Sequence, residues 1–170
     1  DVSMRRVATS LSVAPGALYW HIANKQELIA SMAEEIVQVL FDGPLPDPAH
    51  LSSELREALL STRDGAEVVV AAVSQPGSQV QKELETRFAA SVRAWLGEAA
   101  SISNVRIAAR GLLRLTLGDA AVQQSAAQLA QATGADEESD GADEHAAAVA
   151  FLLDGLKRSA SAGTKLWPHE

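Results

Sequence analysis

The sequence predicts an all-α protein, and its composition carries the prediction. Alanine is abundant between Ala89 and Ala160, while aromatic residues make up only 4% of the chain. Alanine is the strongest helix former, whereas strands favour aromatic and β-branched residues. With 170 residues, 47% of them hydrophobic, the chain can bury a core. We therefore expect one or two helical domains.

Three helices are predicted at the start of the chain, over residues 3–11, 14–21 and 25–41. The first two are short and are separated by a tight turn, with Pro15 suited to the first turn of the second helix. Asn24 is a good N-cap for the third helix. That third helix should bury a stripe of apolar side chains at helical spacing: Leu28, Ile29, Met32, Ile36, Val39 and Leu40.

Three prolines between Asp42 and His50 end this helix. They predict a boundary between a small head, residues 1–41, and a larger body, residues 42–170. Helices are predicted in the body over residues 51–74, 78–98, 103–131 and 142–160. The acidic stretch 133–144 between the last two is expected to be a solvated, mobile loop.

The net charge of −8 argues against nucleic-acid binding, because Lys and Arg make the contacts to phosphate. The charge is unevenly distributed, however. Within the first 25 residues Arg5, Arg6 and Lys25 are accompanied only by Asp1, a local charge of +2 that leaves −10 for the remainder. Any DNA contact is therefore expected at the N-terminus.

Several other classes of site are disfavoured by the sequence. There is no cysteine, and the four histidines are too scattered for a metal site or a catalytic triad. We expect no enzyme activity, no metal and no cofactor. No apolar run is long enough to span a membrane and no signal peptide is visible, so the expected location is cytoplasmic.

The first two predicted helices have the features of a helix-turn-helix, whose second helix enters the major groove. Gly16 and Ala17 allow close approach to DNA, and Tyr19, Trp20 and His21 supply hydrogen-bonding tips and flat apolar faces. Two cations complete the candidate interface, Arg5 for a phosphate or guanine and Lys25 for a phosphate. Taken singly, the two aromatics fit a protein core as well, and the two cations fit an ordinary surface.

The order of these residues resembles the tetracycline-repressor family of transcriptional regulators. The resemblance is carried by LYWH at 18–21, followed by Ile22, Asn24 and Lys25, and it extends back through SMRRVA at 3–8 and LSV at 11–13. LLSTRDGA at 59–66, LTLG at 115–118 and FLLDGL at 151–156 are similar to passages in the body of family members. The resemblance implies the following DNA contacts: Met4, Arg5, Gly16, Ala17, Tyr19, Trp20, His21 and Lys25.

The resemblance also implies a repressor that binds palindromic operator DNA as a homodimer and is released by a small molecule. The dimer interface is expected from helices near 106–131 and 142–160, where small residues such as Ala108, Ala109 and Ala120 would permit close approach. An activator would differ from a repressor only in the position of its binding site at the promoter. The alternative is a helical ligand-binding or scaffold protein without DNA binding.

Tetracycline-sensing members hold the drug and its magnesium ion with histidine and asparagine side chains. At the positions that we match with these, the chain has Thr62, Thr86 and Arg114. An arginine cannot ligate a metal ion, so we expect a different effector. The candidate effector residues are Thr62, Thr86, Phe88, Trp95, Arg114 and Leu115, of which Phe88 and Trp95 fit the core equally well.

Family members begin with one more helix than the sequence shows before Ser3. We expect that this segment is missing from the sequence, being disordered or removed; the alternative is an incomplete head with uncertain DNA affinity.

Overall fold

The structure, a computed structural model, describes Thr9 and residues 24–97, 100–134 and 141–161. All regular elements in these residues are helical, which confirms the all-α prediction. Two of the predicted helices, over 3–11 and 14–21, lie outside the described residues except for Thr9, as do residues 135–140 of the acidic stretch. Asp143 and Glu144, which were predicted to lie in the loop, belong instead to the first turn of the last helix. The helices, numbered in chain order, are α1 Lys25–Val37, α2 Pro48–Ser61, α3 Gly65–Val73, α4 Gln79–Leu96, α5 Ile102–Thr133 and α6 Ala142–Ser161, with a 3-10 turn, Gln38–Phe41, after α1.

Polar side chains fix where most of these helices begin. Asn24 accepts a hydrogen bond from the backbone N–H of Glu27 at 2.9 Å, which confirms the predicted cap of α1. Asp47, which lies between Pro46 and Pro48, caps α2 in the same way. Ser78 caps α4 and Ser101 caps α5, each through its hydroxyl oxygen.

The apolar stripe predicted for α1 is partly wrong. Leu28 and Leu40 are buried, but Met32 and Val39 are 39% and 58% exposed. Val37, which the prediction omitted, is buried instead. The chain tightens to three residues per turn after Val37, so Val39 turns towards solvent while Leu40 returns to the core.

The single helix predicted over 51–74 is also wrong, because the chain breaks between α2 and α3. Asp64 adopts a left-handed backbone with φ of 58°. Gly65 follows, and a Cβ there would lie 2.5 Å from the carbonyl oxygen of Leu59. Only glycine fits this close approach. The side chain of Gln124 on α5 closes the turn, accepting from the N–H of Ala66 and donating to the carbonyl of Thr62, both at 3.0 Å.

The long helix α5 occupies the centre of the body and packs against α2, α3, α4 and α6. Its buried face meets a core of large side chains with almost no solvent exposure: Leu51, Leu55, Leu59, Leu84, Phe88 and Leu112. α1 packs chiefly against α3 and α2. The body is therefore one packed unit, and α1 lies on it as the last element of the predicted head.

Candidate functional site

The residues predicted to contact DNA fall mostly outside the described part of the chain. This applies to Met4, Arg5, Gly16, Ala17, Tyr19, Trp20 and His21. Lys25 is described: it is the first residue of α1 and is half-buried. Because the chain enters α1 four residues after the predicted recognition helix, α1 is the covalent link between that helix and the body.

Both apolar and polar contacts hold α1 to the body. Leu28, Ala33 and Val37 are buried along its inner face. At its N-terminal end the carbonyl of Gln26 accepts a hydrogen bond from Nε2 of Gln75, in the turn after α3, at 3.3 Å. The end of α1 that joins the predicted DNA-reading helices is therefore held directly to the turn after α3.

The predicted effector residues do not line one common cavity. Thr62 is exposed after α2, and Thr86 is exposed on α4, where its hydroxyl donates to the carbonyl of Lys82 at 2.7 Å. Phe88 is fully buried in the core. Arg114 is exposed on α5. These side chains thus belong to separate surfaces and to the interior.

The two remaining candidates are partly buried. Trp95 lies near the end of α4, and the ammonium of Lys157 on α6 sits 4.1 Å from its ring centroid. A cation in this position is attracted to the electron-rich face of the indole. Leu115 packs against the core from α5. Trp95 therefore has a structural contact that ties α4 to α6.

A groove of about 950 Å³ runs between α1 and α2, and we call it the connector groove. Thr62 lies at its end. Its lining includes the large apolar side chains of Met32, Ile36 and Val39 and the acidic side chains of Glu35, Glu54 and Glu57. Glu54 lies 3.2 Å from Nε2 of His50. Among the described residues, no Lys or Arg lines the groove.

A cluster of polar side chains is buried where α2, α5 and α6 meet. Arg56 on α2 is 7% exposed and donates from Nε to Oδ2 of Asp119 at 2.8 Å. Its Nη2 donates to Oε1 of Gln123, one turn further along α5. His145 on α6 is 3% exposed, and its Nδ1 lies 3.5 Å from the same Asp119 oxygen. Asp119 therefore joins three helices through one carboxylate.

The surroundings of His145 favour its neutral form. Burial lowers the pKa of His145, because it penalises the charged imidazolium, and Arg56 lowers it further. The negative charge of Asp119 acts in the opposite direction but does not prevail. Neither ring nitrogen has a hydrogen-bond partner among the described residues.

This protonation state predicts a pH-dependent stability. Below about pH 6.5 the histidine of the unfolded chain takes up a proton more readily than the folded one, so the free energy of unfolding falls as the pH falls. The loss from one such group is at most about 1.4 kcal/mol per pH unit. Urea denaturation between pH 7.5 and 5.5 should show a smaller loss in His145→Gln than in the unmodified protein.

The matched control is His50→Gln, because His50 is exposed on α2. This variant should keep the pH dependence of the unmodified protein. Identical pH profiles for His145→Gln and the unmodified protein would show that His145 is not the titrating group.

Large apolar side chains are exposed on α5 and α6. Val122 and Leu129 on α5 are seven residues apart and so share a face, and Phe151 on α6 is 77% exposed. Gly118, one turn before Val122, has open space where a Cβ would be. By contrast Ala108, Ala109 and Ala120, which we expected at a dimer interface, are buried inside the protomer. The outer side of α5 near Val122 therefore combines exposed apolar side chains with room for a closely packed helix.

Within the described residues, no three His, Asp or Glu side chains come together to hold a metal ion. No described helix is both long and apolar enough to cross a membrane.

Comparison with solved structures finds proteins that are similar to this chain over most of its length. BioQ of Mycobacterium smegmatis is 36% identical with a TM-score of 0.76, and the match covers 93% of this chain and 87% of that chain. BioQ in a crystal structure with its natural double-stranded DNA operator is 33% identical with a TM-score of 0.69, over 93% of this chain and 87% of that chain. No protein-family model matches the chain.

The Escherichia coli tetracycline repressor protein class E is 30% identical over 94 residues, which are 51% of this chain and 44% of the repressor. The chain belongs to the tetracycline-repressor family. The resemblance found in the sequence is thereby confirmed. The matched region spans less than half the length of this curated relative, and the relatives are transcriptional regulators rather than enzymes.

Proposed function

We propose that this tetracycline-repressor-family chain is a ligand-responsive regulator that binds palindromic operator DNA as a homodimer and represses transcription. The observation that carries the proposal is the likeness, over 93% of the chain, to a protein crystallised with its own operator DNA. The body, residues 42–170, would bind a small-molecule effector other than tetracycline. The head, residues 1–41, would bind the DNA.

Charge distribution supports DNA binding by the head. Arg5, Arg6 and Lys25 give the first 25 residues a local positive charge in a chain whose net charge is −8. Contacts with phosphate require such cations, and the acidic remainder would be repelled by DNA. The first 25 residues are thus the part of this chain that is suited to an operator, with Tyr19, Trp20 and His21 as candidates for contact with base edges.

The exposed apolar face of α5 and α6 supports a homodimer. Val122, Leu129 and Phe151 would each be removed from water by a second copy. Helices near 106–131 and 142–160 would then form a four-helix bundle across the two-fold axis. Two heads about 34 Å apart would meet successive major grooves on one side of the DNA.

The packing of α1 on α2 and α3 supports control by an effector. A ligand lowers DNA affinity only if it binds more tightly to an arrangement of the heads that does not fit the operator. Because α1 is the covalent link between the body and the predicted DNA-reading helices, a ligand that repositions α1 would change the spacing of the two heads. α1 is therefore the proposed lever.

Fluorescence anisotropy with the DNA upstream of the protein's own gene tests the proposal. We expect salt-dependent binding, and Arg5→Ala should weaken it at least about tenfold and lower the salt slope by about one. The matched control is Arg63→Ala, because Arg63 is almost fully exposed on the body and carries the same charge. No binding at low salt, or no effect of Arg5→Ala, would instead favour a helical ligand-binding or scaffold protein.

A further inference from the structure

We propose that the connector groove binds a lipophilic cation. The binding itself is independent of DNA, while its regulatory consequence rests on the function proposed above. The argument uses the shape of the groove, its charge and its position between α1 and α2.

The shape and the apolar part of the groove suit a small organic molecule. Its volume of about 950 Å³ lies within the range of roughly 300–1,000 Å³ found for small-molecule sites. Met32 on α1 and Val39 in the 3-10 turn after it both line the groove and are exposed large apolar side chains. A methionine adapts its shape to irregular ligands because it is unbranched and polarisable. Burial of this surface by a ligand would remove it from water.

The charge of the groove selects a cation. Glu35 and Glu57 line it from opposite helices, and Glu54 lies on the same helix as Glu57. Glu54 has His50 beside it, whereas no ion pair is formed by Glu35 or Glu57 within the described residues. A cation between α1 and α2 would be attracted by carboxylates on both sides. An anion of the same shape would be repelled.

The same charge argues against two larger occupants. A second copy of this chain carries a net charge of −8, so an acidic groove is a poor match for its surface. DNA is excluded for the same reason, since its phosphates would face three carboxylates. A small lipophilic cation is the occupant that satisfies both the apolar and the acidic lining.

The position of the groove gives its ligand a route to the head. The ligand would touch α1 and α2 at once, and α1 joins the predicted DNA-reading helices. A molecule lodged there would favour the arrangement of α1 in which the groove is open. Occupation of the groove would then change operator affinity in the proposed regulator.

Isothermal titration calorimetry with tetraphenylphosphonium, in the absence of DNA, tests the site directly. We expect saturable binding with one ion per chain. Tetraphenylborate, which has nearly the same shape and the opposite charge, should bind at least about tenfold more weakly. Equal binding of the two ions would overturn the proposal, since the groove would then be selecting only apolar surface.

Two variants locate the binding. Glu35→Gln combined with Glu57→Gln should weaken tetraphenylphosphonium binding at least about tenfold, and both residues are exposed, so the fold should persist. Glu34→Gln is the matched control, because Glu34 is exposed on the same helix and does not line the groove. Unchanged affinity in the double variant, or equal loss in Glu34→Gln, would place the ion elsewhere and refute the site.

The two proposals fail separately. Loss of tetraphenylphosphonium binding alongside intact operator binding would refute the groove and leave the regulator. Saturable binding of tetraphenylphosphonium without operator binding would refute the regulator and leave the groove. If both hold, adding the ion to the protein–operator complex should change its dissociation constant.

Discussion

Replacing Phe151 with Glu is expected to convert a dimer into monomers and to abolish tight operator binding. Phe151 is 77% exposed on α6, on a face that the proposed dimer would cover. In a two-fold interface each substitution occurs twice, and a buried aromatic anchor is commonly worth 2 kcal/mol or more. The dimer dissociation constant should rise at least about 100-fold. A single head reads only half of a palindrome, so operator affinity should fall with it.

Sedimentation equilibrium on the two proteins measures this effect. Ile102→Glu is the matched control, because Ile102 is 78% exposed on α5 but lies before the predicted interface region. This control should remain a dimer. A dimeric Phe151→Glu, or equal dissociation of the control, would contradict the proposed interface.

Replacing Asp119 with Asn is expected to lower the free energy of unfolding by about 3 kcal/mol. The change removes the negative charge of Asp119, which lies 2.8 Å from the guanidinium of Arg56, a residue that is 7% exposed. Breaking a buried ion pair in this way costs about 3–5 kcal/mol, and the lower figure suits Asp119 because its side chain is partly exposed. His145 loses its neighbouring carboxylate as well. Urea denaturation at pH 7 gives the measurement.

The ion pair of Glu85 and Arg110 provides the comparison. Burial acts to raise the pKa of Glu85, but hydrogen bonds from Arg110 and Gln81 and the charge of Arg114 together lower it. Both partners are more accessible than Arg56, and exposed pairs contribute about 0–1 kcal/mol. Glu85→Gln should therefore cost at most about 1 kcal/mol. Equal losses in the two variants would refute the structural role of Asp119.

Local chemistry made much of this fold predictable from the sequence. Asn24 is followed by a helix that buries Leu28, and the helical structure ends at Phe41, ahead of the prolines, as expected. A cap or a proline acts within a few residues, so its effect can be recognised without knowing the rest of the molecule.

The features that the sequence did not predict depend on distant residues. The break before Gly65 is closed by Gln124, and the ion pair of Arg56 joins it to Asp119, more than 60 positions away in the chain. In the candidate site the sequence predicted Thr62 but not the acidic groove beside it, since Glu35 and Glu57 meet only when α1 packs on α2. For the ion pair with Arg56 the sequence did contain a clue, because Asp119 is a charged residue among apolar positions of α5.

Selection of bound DNA from genomic fragments by the full-length protein tests the central claim most directly. A dimeric regulator should enrich a palindrome whose half-sites lie about one helical turn apart, or a multiple of that distance. Enrichment should disappear with Phe151→Glu. Enrichment of a single unpaired site would contradict the dimer, and recovery of no preferred sequence would contradict DNA recognition itself.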